Sequence, residues 1–254
     1  MSKLKYLSAF ILATTVYISF TNYGIWTYLP LLLSFVFIPL LELFFKPNSK
    51  NLSDEESLKV KKDLYFDFVL YAIVLAQIAF VVFFLFVIQE ELSTFDLIGR
   101  ITSLGILCGI FGINVGHELG HRSNRFQQFL GEVLLFTSLE THFLPYHNSG
   151  HHYNVGTPKD PATARKGEWV FIFWFRSQFG SYIQAWEIEM KKLKKNDHHF
   201  LSFSNKMLLY TLAQISLLLL LYLVFNIETM FAFIAASIFG ILLVESVYYI
   251  EHYA

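Results

Sequence analysis

Residues 114–122 read NVGHELGHR, and residues 141–161 read THFLPYHNSGHHYNVGTPKDP. Six of the nine histidines of the chain lie in these two stretches: His117, His121, His142, His147, His151 and His152. A further one, His252, stands at the C-terminal end. His117 and His121 are four residues apart, which on a helix puts both imidazoles on one face, one turn apart, the spacing at which two ligands share one ion. His147 and His151 repeat that spacing, and His152 follows directly. Neutral imidazole is the commonest metal-binding side chain, and its ordinary pKa of about 6.5 leaves it mostly unprotonated at neutral pH. One such pair arises often by chance. Two pairs, a doublet and His252 together read as a metal centre. His198 and His199, in KKNDHHF, read instead as a solvated turn.

The sequence around this stretch is apolar in long blocks. The 254 residues are 55% hydrophobic and 15% charged, against about 25% charged in soluble domains. A membrane-spanning helix needs about 20 mainly apolar residues, and six blocks qualify: 4–23, 25–45, 64–88, 97–116, 207–225 and 230–250. Pro30 and Pro39 are expected to kink the second. The expected fold is all-α, one polytopic membrane domain over residues 1–254 with six transmembrane helices and a histidine-rich metal region at 114–165. Residues 46–63 form a polar connector. Residues 129–137 and 169–179 are too short or too interrupted to cross, and read as re-entrant or interfacial helices. Of the 19 lysines and arginines, 18 fall on one side of this topology, Arg100 being the other. The positive-inside bias makes that side cytoplasmic, so both termini and all the histidine pairs are expected at the cytoplasmic face of a multi-pass inner-membrane protein, with His252 within reach of the others.

Several function classes are excluded. A net charge of −1 gives no electrostatic case for nucleic acid. Cys108 is the single cysteine, so neither a disulfide within the chain nor a thiolate metal site is available. The basic start MSKLKYLSAF has no small-residue cleavage site after it and reads as a first span rather than a removed signal peptide. Residues 117–121, HELGH, match the zinc-protease pattern formally, but a catalytic zinc takes three protein ligands. Six or seven histidines suit two metals, and an all-nitrogen set with open positions suits iron and oxygen chemistry.

The motifs NVGHELGHR (114–122), HNSGHHYNVGTPKDPATAR (147–165), RSQFGSYIQAWEIE (176–189) and YYIEHYA (248–254) resemble those of the integral-membrane alkane 1-monooxygenases, within the wider group of histidine-box hydroxylases and desaturases. The resemblance implies that His117 and His121 form the first histidine box, His147, His151 and His152 the second, and that His252 is a further ligand, with His142 a secondary candidate. It implies two non-haem iron ions, hydroxylation of the terminal methyl group of an alkane with O2, and electrons from NADH through a reductase and rubredoxin. Tyr146 and Tyr248 stand where that group has Glu and Asn. The group's pattern continues with a final box of three more histidines beyond the position matched by Ala254. A fatty-acyl or aromatic-methyl hydroxylase or desaturase, and an inactive truncated metal-binding membrane protein, are the alternatives left open.

Ligating histidines usually donate their second ring N–H to a carboxylate or carbonyl. Glu118, Asp160 and Glu251 lie in or beside the boxes and are candidates for that role. So is Glu245, a charge inside the sixth block, where charges are costly and usually functional; Glu140 also stands out. The basic run 191–195 is a candidate docking site for an acidic electron carrier, or simply a cytoplasmic charge signal.

Overall fold

The computed structural model describes residues 3–45, 53 and 63–253. The polar connector expected at 46–63 lies outside the described residues except for Ser53 and Asp63. The structure is all-helical; among the described residues the only β-type pairing is an isolated parallel bridge between Ala164 and Tyr253. Among the described residues six helices are long and apolar enough to cross a membrane: α1 (Lys3–Thr21), α2 (Gly24–Glu42), α3 (Leu64–Val87), α4 (Thr94–Gly120), α8 (Lys206–Val224) and α9 (Ile227–Glu251). Between α4 and α8 come α5 (Arg125–Phe136), a broken helix α6 over residues 143–154, and α7 (Val170–Lys195). Helix starts are fixed by capping side chains: Asp63 accepts from Tyr65 N, Asn124 from Phe126 N, Asn205 from Leu208 N and Asn226 from Thr229 N, each satisfying an otherwise orphaned amide.

The chain forms two compact units, residues 1–107 and 108–254. In the first, α1 and α2 make a tight hairpin. Ser19 Oγ bonds both Thr27 O and Ser103 Oγ, at 2.7 and 2.9 Å. Arg100 is fully buried and donates to Val87 O and to Glu90 at 2.7 and 2.8 Å. In α2, Pro30 and Pro39 each fall in the first turn of a short α-helical piece, and a π-helical turn, Leu33–Phe37, separates the two pieces. The prolines therefore sit where a missing N–H costs least.

The second unit holds every histidine. Its part of α4 runs on to Gly120, four residues past the expected end at 116, so His117 rides on the helix itself. Close approaches between glycines set the helix spacing there. A Cβ on Gly131 of α5 would lie 2.7 Å from Gly116 O, and one on Gly109 would lie 3.1 Å from Gly240 O of α9. Two π-helical turns mark this unit, Cys108–Asn114 just before the first histidine pair and His147–His151 spanning the second. Such turns are rare and gather at functional sites.

Candidate metal centre

Three elements deliver the histidines: the end of α4, the π turn of α6 and the residue that closes α9. The Nε2 atoms of His117 and His121 are 2.7 Å apart. Ligand atoms of His117, His121 and His147 all lie within 4.8 Å of one another. His152 joins this group, its Nε2 3.4 Å from that of His121 and its ring centroid 4.5 Å from that of His147. His151 stacks on His147 with centroids 5.0 Å apart, and the His252 ring centroid lies 4.9 Å from that of His151. His252 is held there by the chain: Ala164 N donates to His252 O at 3.1 Å, and Gly167 N to the Tyr253 hydroxyl at 2.7 Å.

The second ring nitrogens show how the imidazoles are aimed. His151 Nδ1 is 2.9 Å from Asp160 Oδ2. Asp160 is buried and also accepts from Thr163 Oγ1 at 2.6 Å, from the Tyr146 hydroxyl and from Ala162 N. Burial alone would raise the Asp160 pKa, but the bonds from His151, Thr163 and Tyr146 outweigh it and hold the carboxyl below its ordinary range. His147 Nδ1 is 3.2 Å from the Tyr248 hydroxyl. Its Nε2 is buried with no hydrogen-bond partner. Burial, reinforced by the surrounding imidazoles, pushes the His147 pKa down to about 2, and the same causes lower His152. A buried, neutral imidazole with one nitrogen fixed and the other aimed at its neighbours has a lone pair with nothing in the protein to receive it. That donor set fits a metal ion: nitrogen throughout, and with the outer nitrogens of His147 and His151 held by a hydroxyl and a carboxylate.

A cavity of about 320 Å³ opens on this cluster. It is lined by His117, His147, His151, His152 and His252 together with apolar Ile113, Phe143, Val244 and Val247, Phe143 stacking on His147 at 4.8 Å. The loop carrying Asp160 is clamped by Arg176, which makes a two-pronged ion pair with Glu168 at 2.6 and 2.7 Å and donates to Pro161 O and Thr163 O at 2.9 and 3.0 Å.

The other candidates lie elsewhere. His142 is buried outside the converging group, with Nε2 3.3 Å from Ser181 Oγ and 3.4 Å from Glu140 Oε1; burial lowers its pKa to about 4. Glu118 is half exposed and pairs with Arg122 at 3.0 Å. Glu251 lines the rim of the cavity. Glu245 is buried one turn before Tyr248, with Oε2 lacking a hydrogen-bond partner. His198 and His199 are exposed near the end of α7. Sequence reasoning noted Tyr146 and Tyr248 only as departures from a pattern, and gave no role to Thr163, Glu168 or Arg176. Only the proximity of Tyr146 and Thr163 to the boxes could have drawn attention to them.

The profile of the Fatty acid desaturase family matches residues 97–254. The chain is 32% identical over 234 residues to the alkane 1-monooxygenase of Ectopseudomonas oleovorans, covering 92% of this chain and 58% of that protein. It is 30% identical over 238 residues to alkane 1-monooxygenase 1 of Alcanivorax borkumensis, covering 93% and 58%. Against the xylene/toluene monooxygenase hydroxylase component of Pseudomonas putida it is 27% identical over 155 residues, covering 61% and 42%. The chain therefore spans little more than half the length of the two alkane 1-monooxygenases and less than half of the xylene/toluene enzyme.

Proposed function

The chain belongs to the fatty acid desaturase family, and on that premise we propose that it is the hydroxylating component of a membrane di-iron monooxygenase acting on the terminal methyl group of alkanes. The reaction consumes RH, O2, two electrons and two protons and yields ROH and H2O. The electrons come from a rubredoxin-type carrier served by an NADH-dependent reductase, and the histidine face is cytoplasmic in an inner membrane. The observation that carries this reading is the convergence of histidines on a cavity that aliphatic and aromatic side chains also line. The names of the relatives support the substrate class.

His117, His121, His147 and His152 would hold one iron, and His151 and His252 would contribute to a second. Bound iron supplies the activation of O2. The chain's own residues do the rest. Asp160 and Tyr248 keep the ligand rings turned inward. Phe143, Val244 and Val247 exclude water and present a surface that a methyl-ended chain wets better than a polar one does. Burial keeps His147 unprotonated and so available to metal at any physiological pH.

The test is product analysis in native membranes or nanodiscs, supplied with NADH, reductase and rubredoxin and offered alkanes, xylene and fatty acids in parallel. Primary alcohols from alkanes, lost in His117→Ala and His147→Ala, support the proposal. Hydroxylation or desaturation of acyl chains only, or oxidation of the aromatic methyl only, selects the second reading; similarity to the xylene/toluene enzyme favours keeping that arm.

A further inference from the structure

Helix α7 is built inside out. Its buried row is Phe173, Ser177, Ser181, Ala185, Glu189 and Leu193, half of it polar. Its exposed positions up to residue 183, Phe171, Ile172, Phe175, Phe179, Tyr182 and Ile183, are apolar or aromatic and 37–67% exposed, and past them the exposed positions turn polar at Glu187, with Met190 the apolar exception. A helix solvated by water shows the opposite pattern, and soluble surfaces rarely carry a contiguous apolar strip over the first half of a 26-residue helix, about 20 Å at 1.5 Å per residue. The helix nevertheless does not cross the bilayer, because both of its ends are tied to one face. Near its start, Trp174 Nε1 donates to Ser246 Oγ at 3.1 Å and the Tyr249 hydroxyl to Glu168 O at 2.5 Å, both in the last turns of α9. Near its end, Glu189 Oε1 accepts from the backbone N of Lys206, the first residue of α8, at 2.8 Å. Helices α8 and α9 are joined by a short turn at Phe225 and Asn226, so the start of one and the end of the other emerge at the same membrane surface. A helix bridging these two points lies across that surface. Its last turns add four exposed lysines, Lys191, Lys192, Lys194 and Lys195.

We propose that α7 is a membrane-plane helix seated in the leaflet of anionic phospholipid at the histidine face, its aromatic row among the acyl chains and its terminal lysines on the headgroup phosphates. The opposite side of the same helix packs on the second histidine box: a Cβ on Gly150 would lie 2.4 Å from Gln184 Oε1. Seating α7 in lipid therefore sets the depth of the histidine region relative to the bilayer. This inference goes beyond the oxygenase reading and does not depend on it.

The experiment is spin-label accessibility on the full chain in nanodiscs of phosphatidylcholine, with and without phosphatidylglycerol. Labels go on Phe171→Cys, Phe175→Cys, Phe179→Cys and Ile183→Cys, one at a time; Cys108 is buried and can stay. A label on Glu187→Cys, the exposed polar position four residues after Ile183, is the reference for the polar end of the helix. Variants that elute as wild type and retain its helix content are used. Collisions with dissolved O2 should exceed those with a water-soluble nickel chelate by about threefold or more at the four apolar positions, as for side chains sunk about 5–10 Å below the headgroups. Phosphatidylglycerol should deepen them, and the triple variant Lys191→Gln, Lys194→Gln, Lys195→Gln should abolish that dependence. Equal nickel and O2 access at Phe175 and Phe179 would overturn the proposal, as would dipolar broadening between labels on two copies, which would make the row a protein interface. Deepening that is indifferent to anionic lipid would overturn the part assigned to the lysines.

Discussion

Replacing Asp160 by Asn should cost metal affinity rather than fold. The Asp160 carboxylate is fully buried and saturated: Oδ2 faces His151 Nδ1 at 2.9 Å and Thr163 Oγ1 at 2.6 Å, while Oδ1 takes the Tyr146 hydroxyl and Ala162 N. An asparagine fills the same space but has a single acceptor oxygen. If its oxygen keeps Tyr146 and Ala162, its amide donates toward His151 Nδ1. That nitrogen must then become the acceptor, and the ring proton moves to Nε2, where it blocks the lone pair a metal needs. Loss of such an outer partner typically lowers metal affinity about 10–100-fold, equivalent to roughly 1.4–2.7 kcal/mol. The hydrogen bonds to a charged acceptor that become neutral ones add a stability loss of about 1–2 kcal/mol. The assay is competition of the purified chain with a chromophoric chelator for Fe(II) and Co(II), with helix content as the fold control. An Asp160→Asn protein that folds and binds both metals within twofold of wild type would refute the idea that this carboxylate sets the His151 tautomer.

Tyr248→Phe removes one hydroxyl from His147 Nδ1 and keeps the ring stacked on Phe143; a smaller loss, about tenfold in metal affinity, is expected by the same competition assay. Arg176→Lys keeps the charge but loses the two-pronged grip on Glu168 and one or both carbonyl bonds, so thermal unfolding in detergent should occur at lower temperature, with a cost of about 1–3 kcal/mol. Gly131→Ala drives a Cβ to 2.7 Å from Gly116 O and should cost about 1–3 kcal/mol by overpacking while pushing the turn with His117 and His121 away from His147; metal content should fall with stability. Glu140, pushed up to about 8 by burial, opposed by its bond from Gln178, holds its proton in the folded state. A folded pKa above the unfolded one contributes stability at low pH that is lost as pH rises through about 8. Glu140→Gln should therefore flatten the decline in melting temperature between roughly pH 5 and 8, and an unchanged profile would contradict that assignment.

The six spans and the histidine spacing were legible because both are local: apolar blocks of spanning length and ligands one helical turn apart. The end of the fourth span was not, since helix α4 continues past its apolar block for as long as α5 packs on it through Gly116 and Gly131. The π turn at His147–His151 leaves no trace in residue identity, although its Gly150 lies tight against Gln184 of α7. Asp160 was one of four carboxylates offered for one role, and nothing local separates it from Glu118; the bend at residues 155–168 that brings it under His151 is made by the distant Arg176 and Tyr253. Residues 169–179 already read as a re-entrant or interfacial segment, but the helix runs on to Lys195, and which of its faces is covered follows from packing rather than from residue identity.

The most direct measurement is the metal content of the purified, detergent-solubilised chain, with X-ray absorption at the metal edge. The expected result is iron in an all-nitrogen shell, at least one ion per chain held by the group His117, His121 and His147, and its loss in His117→Ala and His147→Ala. No bound metal, or stoichiometric zinc that iron cannot displace, would contradict an iron centre built from these histidines.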